Sequence, residues 1–301
     1  MSSWSGKSKG KPLGYRIFIF ILKHINIRVA YFIVWFVALY YFLFADKKAI
    51  KHFYSQALGY EGRKLKKSVF GNFYMLGKVM LDRITLLAGF KGKYTFDFEG
   101  EEYLHQLAQS GTGGIILGAH AGNWEVAGKL LKRLKTPVHI VMYDGERSEI
   151  KDLLEETTGG KAFNVVYVKE NDMSHIYEIN EIIKRGELIA MHGDRFLPGN
   201  KSHECMFFGL KAPLPLGPYY LAASLKVPIC FVSTMKETTS HYHFYSTPPL
   251  LVSGENSSRK TIHTDVKEMA EHYASNLETI VKKYPLQWFN YYNFWNVTEQ
   301  L

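Results

Sequence analysis

The sequence predicts an α/β fold: a mostly parallel or mixed central sheet flanked by helices, preceded by a hydrophobic helical membrane anchor. Two observations predict the sheet. Short apolar runs such as "GIIL" and "LIAM" are spaced along residues 94–246, and segments of helical apolar periodicity stand between them. Strands alternating with helices imply right-handed crossovers and neighbouring parallel strands. One observation predicts the anchor: Val29 to Ala45, "VAYFIVWFVALYYFLFA", has no charged residue.

Taken in order, the first 28 residues carry six Lys or Arg and no acid. The run that follows is long, aromatic and without a small-residue cleavage site, so it does not read as a cleaved signal. As a helix it would measure roughly 26 Å against a hydrocarbon core of about 30 Å. That makes it one tilted span, or with Ile17 to Leu22 a helix pair lying in the interface; a buried hairpin is the alternative. Arg63 to Leu87 reads as a helix, with Val69, Phe73, Leu76, Met80, Ile84 and Leu87 at three- and four-residue spacing. Tyr94 to Phe98 alternates like a strand, and Glu101 to Gln109 is helical. Gly113 to Leu117 is a buried strand, followed by a helix from Trp124 to Leu134. Strands at Val138–Met142, Phe163–Val168 and Leu188–Met191 alternate with helices at Ile150–Thr157 and Ile176–Lys184. Later strands are expected at Ile229–Thr234 and Tyr242–Ser246, and a long helix at Thr261–Tyr284. The tail "YPLQWFNYYNFW" reads as an aromatic amphipathic helix resting on the membrane or on the anchor, or else packed in the core. Residues 1–60 form a basic leader with anchoring helices, and 61–301 the α/β domain.

Composition narrows the class. An apolar fraction of 47% supports a large core, and 20 Tyr with 20 Phe suit a wet–dry boundary. The formal charge of +9 favours an acidic protein or an anionic membrane surface as partner. No signature of a nucleic-acid module occurs, so nucleic acid is not an expected partner. Two cysteines make no disulfide framework, and neither His203 with Cys205 nor His241 with His243 has four-ligand spacing. No metal is expected.

The chemistry gathers at "LGAHAGNWE", 117–125. On one helix, residues five apart point about 140° away from each other. His120 and Glu125 meet only when His120 ends a strand and Glu125 sits in the first turn of the next helix. The sequence allows this: a strand, a small-residue turn, then Asn123 as a helix cap. The carboxyl end of a strand in an open sheet is where ligands sit. A carboxylate beside the imidazole fixes its tautomer and makes it a general base. The only G-x-S-x-G match, "GKSKG" at 6–10, has no strand before it, so no protein nucleophile is evident. A substrate hydroxyl or amine attacking an activated carbonyl directly is then the reading. A satisfied structural His is its rival.

"HAGNWE" resembles the H-x4-D/E box of membrane-associated glycerolipid-type acyltransferases. "GNWE" narrows the resemblance to the late lipid A acyltransferases, the lauroyl and myristoyl transferases of Gram-negative bacteria. "HGDRFLPG" (192–199) is similar to their second box, with Arg195 where that family has Gln. "MFFGLKAPLPLGPYYLA" (206–222) and "YPLQWFNYY" (284–292) are similar to two later blocks. The middle block departs: "YDGERSEI" (143–150) replaces a Tyr-Arg-Pro-like stretch, with Arg147 as the substitute arginine. The leader also resembles that of acyltransferases from aryl-polyene and flexirubin clusters.

The resemblance implies a glycerolipid-acyltransferase-like fold and transfer of a fatty acyl chain from acyl carrier protein, or another acyl thioester, to a hydroxyl of a membrane lipid at the inner membrane. It makes His120 the general base and Glu125 its partner. Asn123 and Trp124 either shape the turn or touch substrate. Asp194 and Arg195 share that sheet edge, with Arg195 on a phosphate or in a structural ion pair with Asp194. Phe207, Phe208 and Gly209 line the acyl slot or belong to the core. No cofactor is implied. Hydrolysis of the thioester, a non-lipid-A acceptor and plain lipid binding are the alternatives.

Overall fold

A computed structural model of the chain describes residues 27–87, 94–124, 126, 133–143, 164–169, 172–195, 200–251 and 259–295. Within them the chain opens with helix α1 (Ile27–Phe44), short α2 (Lys48–His52), a π-turn (Phe53–Ala57) and long α3 (Gly62–Leu87). There follow β1 (Thr95–Glu99), α4 (Glu101–Gln109), β2 (Gly114–Gly118), β3 (Val138–Tyr143), β4 (Asn164–Val168), α5 (Ser174–Lys184) and β5 (Leu188–His192). The later elements are β6 (Ser202–Phe207), β7 (Leu210–Pro215), α6 (Gly217–Leu225), β8 (Ile229–Lys236), β9 (His241–Ser246) and α7 (Arg259–Lys283). Trp124 and Val126 are helical as expected; residues 127–132 of that helix and the expected helix at 150–157 lie outside the described residues.

The sheet is mixed. Seven strands run in the order β1-β9-β8-β2-β5-β3-β4, parallel at every pair except β8 with β9. Because β2 and β5 are covered on both faces, their strands read as continuous apolar runs. Ile115, Ile116, Leu117, Leu188 and Ile189 are all buried. Helix α7 packs Val266, Ala270, Ala274 and Val281 against the main core, in the spacing that predicts it.

Helix α1 is packed against the α/β domain. Helix α1 runs antiparallel along α3 and buries Ala30, Tyr31, Val34 and Ala38 on it. Contact is close because Gly77 faces Val34: a Cβ there would stand 2.5 Å from Val34 Cγ1. Helix α3 is therefore covered on two sides, which explains why its buried residues include Asn72 and Asp82 besides Val69 and Ile84. Asp82 accepts from Tyr31, Tyr242 and, at 2.8 Å, Tyr94; Lys236 Nζ lies 2.5 Å from its other face and also donates to Thr239 O. This carboxylate joins the leader helix to α3, β8 and β9.

Two segments differ from expectation. The closing stretch is not a helix: Pro285–Gln287 form one 3₁₀ turn, and Trp288, Phe289 and Phe294 are buried in the core. Gln287 explains the change. Its amide donates to Lys236 O (2.7 Å) and accepts from Lys236 N (2.8 Å), imitating a neighbouring strand at the end of β8. Asn72 then holds Leu286 O and Trp288 O. Residues 202–215, overlapping the start of the block at 206–222, form an unexpected hairpin, β6–β7, closed by Phe208 (φ 55°) and Gly209 (φ 73°). Two left-handed residues are the two-residue turn whose twist suits paired strands, and Phe is a costly occupant of the first.

Asp82→Ala would strand the buried Lys236 ammonium and is expected to destabilise the protein by about 3–5 kcal/mol. Adding Lys236→Met should recover a substantial share in a denaturant titration. Simple additivity of the two losses would show that the pair is not coupled.

Candidate active site

Register builds the site. Gly118 of β2 pairs with His192 of β5, so two residues further along each strand His120 stands opposite Asp194 at the carboxyl edge of the sheet. Both oxygens of Asp194 are used on one residue: Oδ1 lies 2.7 Å from His120 Nδ1, and Oδ2 accepts from the His120 backbone N–H at 2.9 Å. The His120 side chain is 12% exposed and that of Asp194 2%. Burial alone would raise the Asp194 pKa. The charge and hydrogen bond of His120, with Arg195 adding, outweigh burial and hold the carboxyl below its usual range.

The turn is held from three sides. Gly193 N donates to Gly118 O, and Tyr273 Oη donates to the same carbonyl. Phe289 N donates to His120 O, and Gly122 N to Gln287 O. Asn123 N donates to Thr234 O. Gly122 (φ 63°) has to be glycine, since a Cβ would meet Thr234 O at 2.1 Å. The closing segment thus shapes the turn, a role no local pattern announces.

The residues expected at the site divide as follows. His120, Asp194 and Trp124 come together, with the Trp124 ring 5.4 Å from that of His120. Asn123 is buried as the helix cap: Oδ1 accepts from Val126 N, and Nδ2 donates to Val79 O and Tyr242 Oη. Arg195 Nη2 donates to Phe289 O at 2.9 Å, so its bond is to the closing segment. Phe208 and Gly209 form the hairpin turn; Phe208 N donates to Glu278, and its ring meets Phe53. Glu125 and Arg147 lie outside the described residues. The acid that the described structure sets on the His120 imidazole is Asp194. The sequence reading had it at the same sheet edge but gave the partner's role to Glu125. His192, the first residue of the 192–199 box and given no role by the sequence, ends β5 with its ring 4.3 Å from that of His120.

A histidine gripped through Nδ1 by a buried carboxylate, at a strand end, is equipped to move a proton through Nε2. No curated protein is significantly similar to the chain. A solved structure, the 1-acyl-sn-glycerophosphate acyltransferase PlsC from Thermotoga maritima, is similar at 14% identity with a TM-score of 0.38, over 83% of this chain and 95% of that one. The sequence profile of the bacterial lipid A biosynthesis acyltransferases matches residues 15–296, nearly the whole chain. The protein belongs to that family and is an acyltransferase.

Proposed function

We propose that the protein transfers a fatty acyl chain from an acyl thioester, carried by acyl carrier protein, to a hydroxyl of a membrane lipid: a lipid A precursor or a related amphiphile. The observation that carries this reading is the pair of hydrogen bonds between Asp194 and His120, which commits Nδ1 and makes Nε2 the base. Nε2 takes the proton of the acceptor hydroxyl as its oxygen attacks the thioester carbonyl. The carbonyl electron pair moves to oxygen, then returns to expel the thiolate, which takes the proton back from Nε2. Asp194 stabilises the imidazolium between the two transfers without becoming protonated.

The acceptor's location is supported by α1. One face is buried on α3, and Phe32, Phe36, Tyr40, Leu43 and Phe44 are exposed along the rest. Its 18 residues have the length and composition of a membrane helix. It is fastened along its length to α3, itself docked on the domain, which favours a helix lying in one leaflet over a span. Lys47, Lys48, Lys51, Arg63, Lys64, Lys66 and Lys67 follow its carboxyl end, suited to anionic headgroups on the cytoplasmic side of the inner membrane. The same positive surface suits an acidic carrier protein.

Three measurements check this reading. His120→Ala should abolish turnover, and Asp194→Asn should lower kcat by about 10²–10⁴-fold by releasing the tautomer. Undiminished turnover in either variant would remove the proposed base. Phe32→Ser with Phe36→Ser and Phe44→Ser should weaken co-sedimentation with anionic vesicles at least about tenfold. Equal binding would rule out α1 as the docking element. Mass spectrometry of total lipids with and without the gene should reveal one lipid class lacking an acyl chain. An unchanged lipid profile with raised free fatty acid in the gene's presence would instead mark a thioesterase.

A further inference from the structure

The proton transfer above leaves the oxygen of the tetrahedral intermediate without a partner. Acyl transfer needs hydrogen-bond donors there, and removing one ordinarily costs about 10²–10³ in kcat. The usual source is the backbone N–H groups of a helix amino terminus. Here most of those are committed. His120 N goes to Asp194 Oδ2, Gly122 N to Gln287 O, Asn123 N to Thr234 O and Val126 N to Asn123 Oδ1. Arg195 Nη2 is held by Phe289 O.

One imidazole beside the base is otherwise unexplained. His192 closes β5 directly alongside Gly118, its Cδ2 at ordinary van der Waals distance (3.5 Å) from where a Cβ on Gly118 would stand. Its ring is 4.3 Å from the His120 ring and 5.6 Å from that of Trp124, which stands edge-on to both. Among the described residues nothing hydrogen-bonds either ring nitrogen of His192, whereas His139 and His203 each meet a carboxylate. A polar ring against the catalytic base, with no protein partner, is placed for a group on the substrate.

We propose that His192 is a further catalytic residue, whose ring N–H donates to the oxygen of the tetrahedral intermediate while His120 holds the acceptor's proton. The proposal rests on the acyl-transfer reading above. No bond to His192 forms or breaks; it offers a dipole where charge develops and loses no proton. The role needs an imidazole that stays uncharged while the ring 4.3 Å away becomes an imidazolium. Its surroundings provide this: burial first, then the positive charges of His120 and Arg195, together push the His192 pKa down to about 3 against the opposing charge of Asp194. A neutral imidazole acting as an electrophile is an established device in enzyme sites.

The test uses the full chain in detergent, lauroyl-acyl carrier protein as donor and a total membrane lipid extract as acceptor, with release of the carrier thiol as the readout. Thiol release counts transfer to lipid and to water alike. His192→Phe keeps the ring and loses the N–H. It should lower kcat about 10²–10³-fold with KM within about threefold, at unchanged thermal stability. His192→Gln restores an amide N–H and should recover at least about tenfold of that loss. His192→Phe at wild-type kcat, or His192→Gln as slow as the Phe variant, would overturn the proposal. So would a loss that appears in KM alone. If the Phe variant does not fold, His192→Ala is read against His192→Gln in its place. His120→Ala is run in parallel: if it too turns over at the wild-type rate, or if the wild type releases no thiol, the acyl-transfer reading falls with the proposal. A dead His120→Ala beside a fully active His192→Phe sinks the His192 role alone.

Discussion

One buried carboxylate determines what the site can do. Asp194 bonds the backbone N–H and the ring Nδ1 of the same residue, so it sets both where His120 sits and how its imidazole is turned. A carboxylate with 2% exposure is stable in its ionised form only with such partners. The grip depends on the β2–β5 register, for a one-residue slip would turn every side chain of the strand to the opposite face. It depends also on the closing segment, where Tyr292 Oη donates to Asp194 O and Phe289 N to His120 O. The sheet, the turn and the carboxyl-terminal stretch converge on one imidazole.

Much of the scaffold was legible in the sequence because its elements obey simple periods. The apolar runs at 114–118 and 188–192 are strands buried on both faces, and the stripe through 266–281 is a helix on the core. The position of His120 at a strand end followed from the small-residue turn after it. What was not legible came from contacts between distant residues. No spacing rule links residue 120 to residue 194; only strand order does. The tail reads as a helix by periodicity, but Gln287 spends its amide on Lys236 and converts the segment into an edge for β8. The hairpin at 202–215 was hidden because its turn puts Phe208 where Gly or Asn is usual.

The polar interior of α3 shows the same limit. Hydrophobic spacing marks a stripe on that helix and passes over Asn72 and Asp82, the two side chains that tie it to the rest. Asn72 takes two carbonyls of the closing segment and a hydroxyl from Tyr291; Asp82 takes three hydroxyls and an ammonium. Through Tyr242 and Asn123 the Asp82 cluster reaches the cap of the helix that follows His120. The exposed aromatic helix and the His120 turn are thereby parts of a single hydrogen-bonded framework.

That framework has a bearing on how the chain is made. Tyr31 leaves the ribosome long before Asp82, and Lys236 and Tyr242 emerge last of all. At roughly 5–20 residues per second, about ten to forty seconds separate the first member of the cluster from the last. Until α3 has emerged the aromatic helix has no protein to pack on, and the strands that fasten the pair through Asp82 come later still. Synthesis next to a bilayer would give the newborn helix a resting place until the strands that fasten it have appeared.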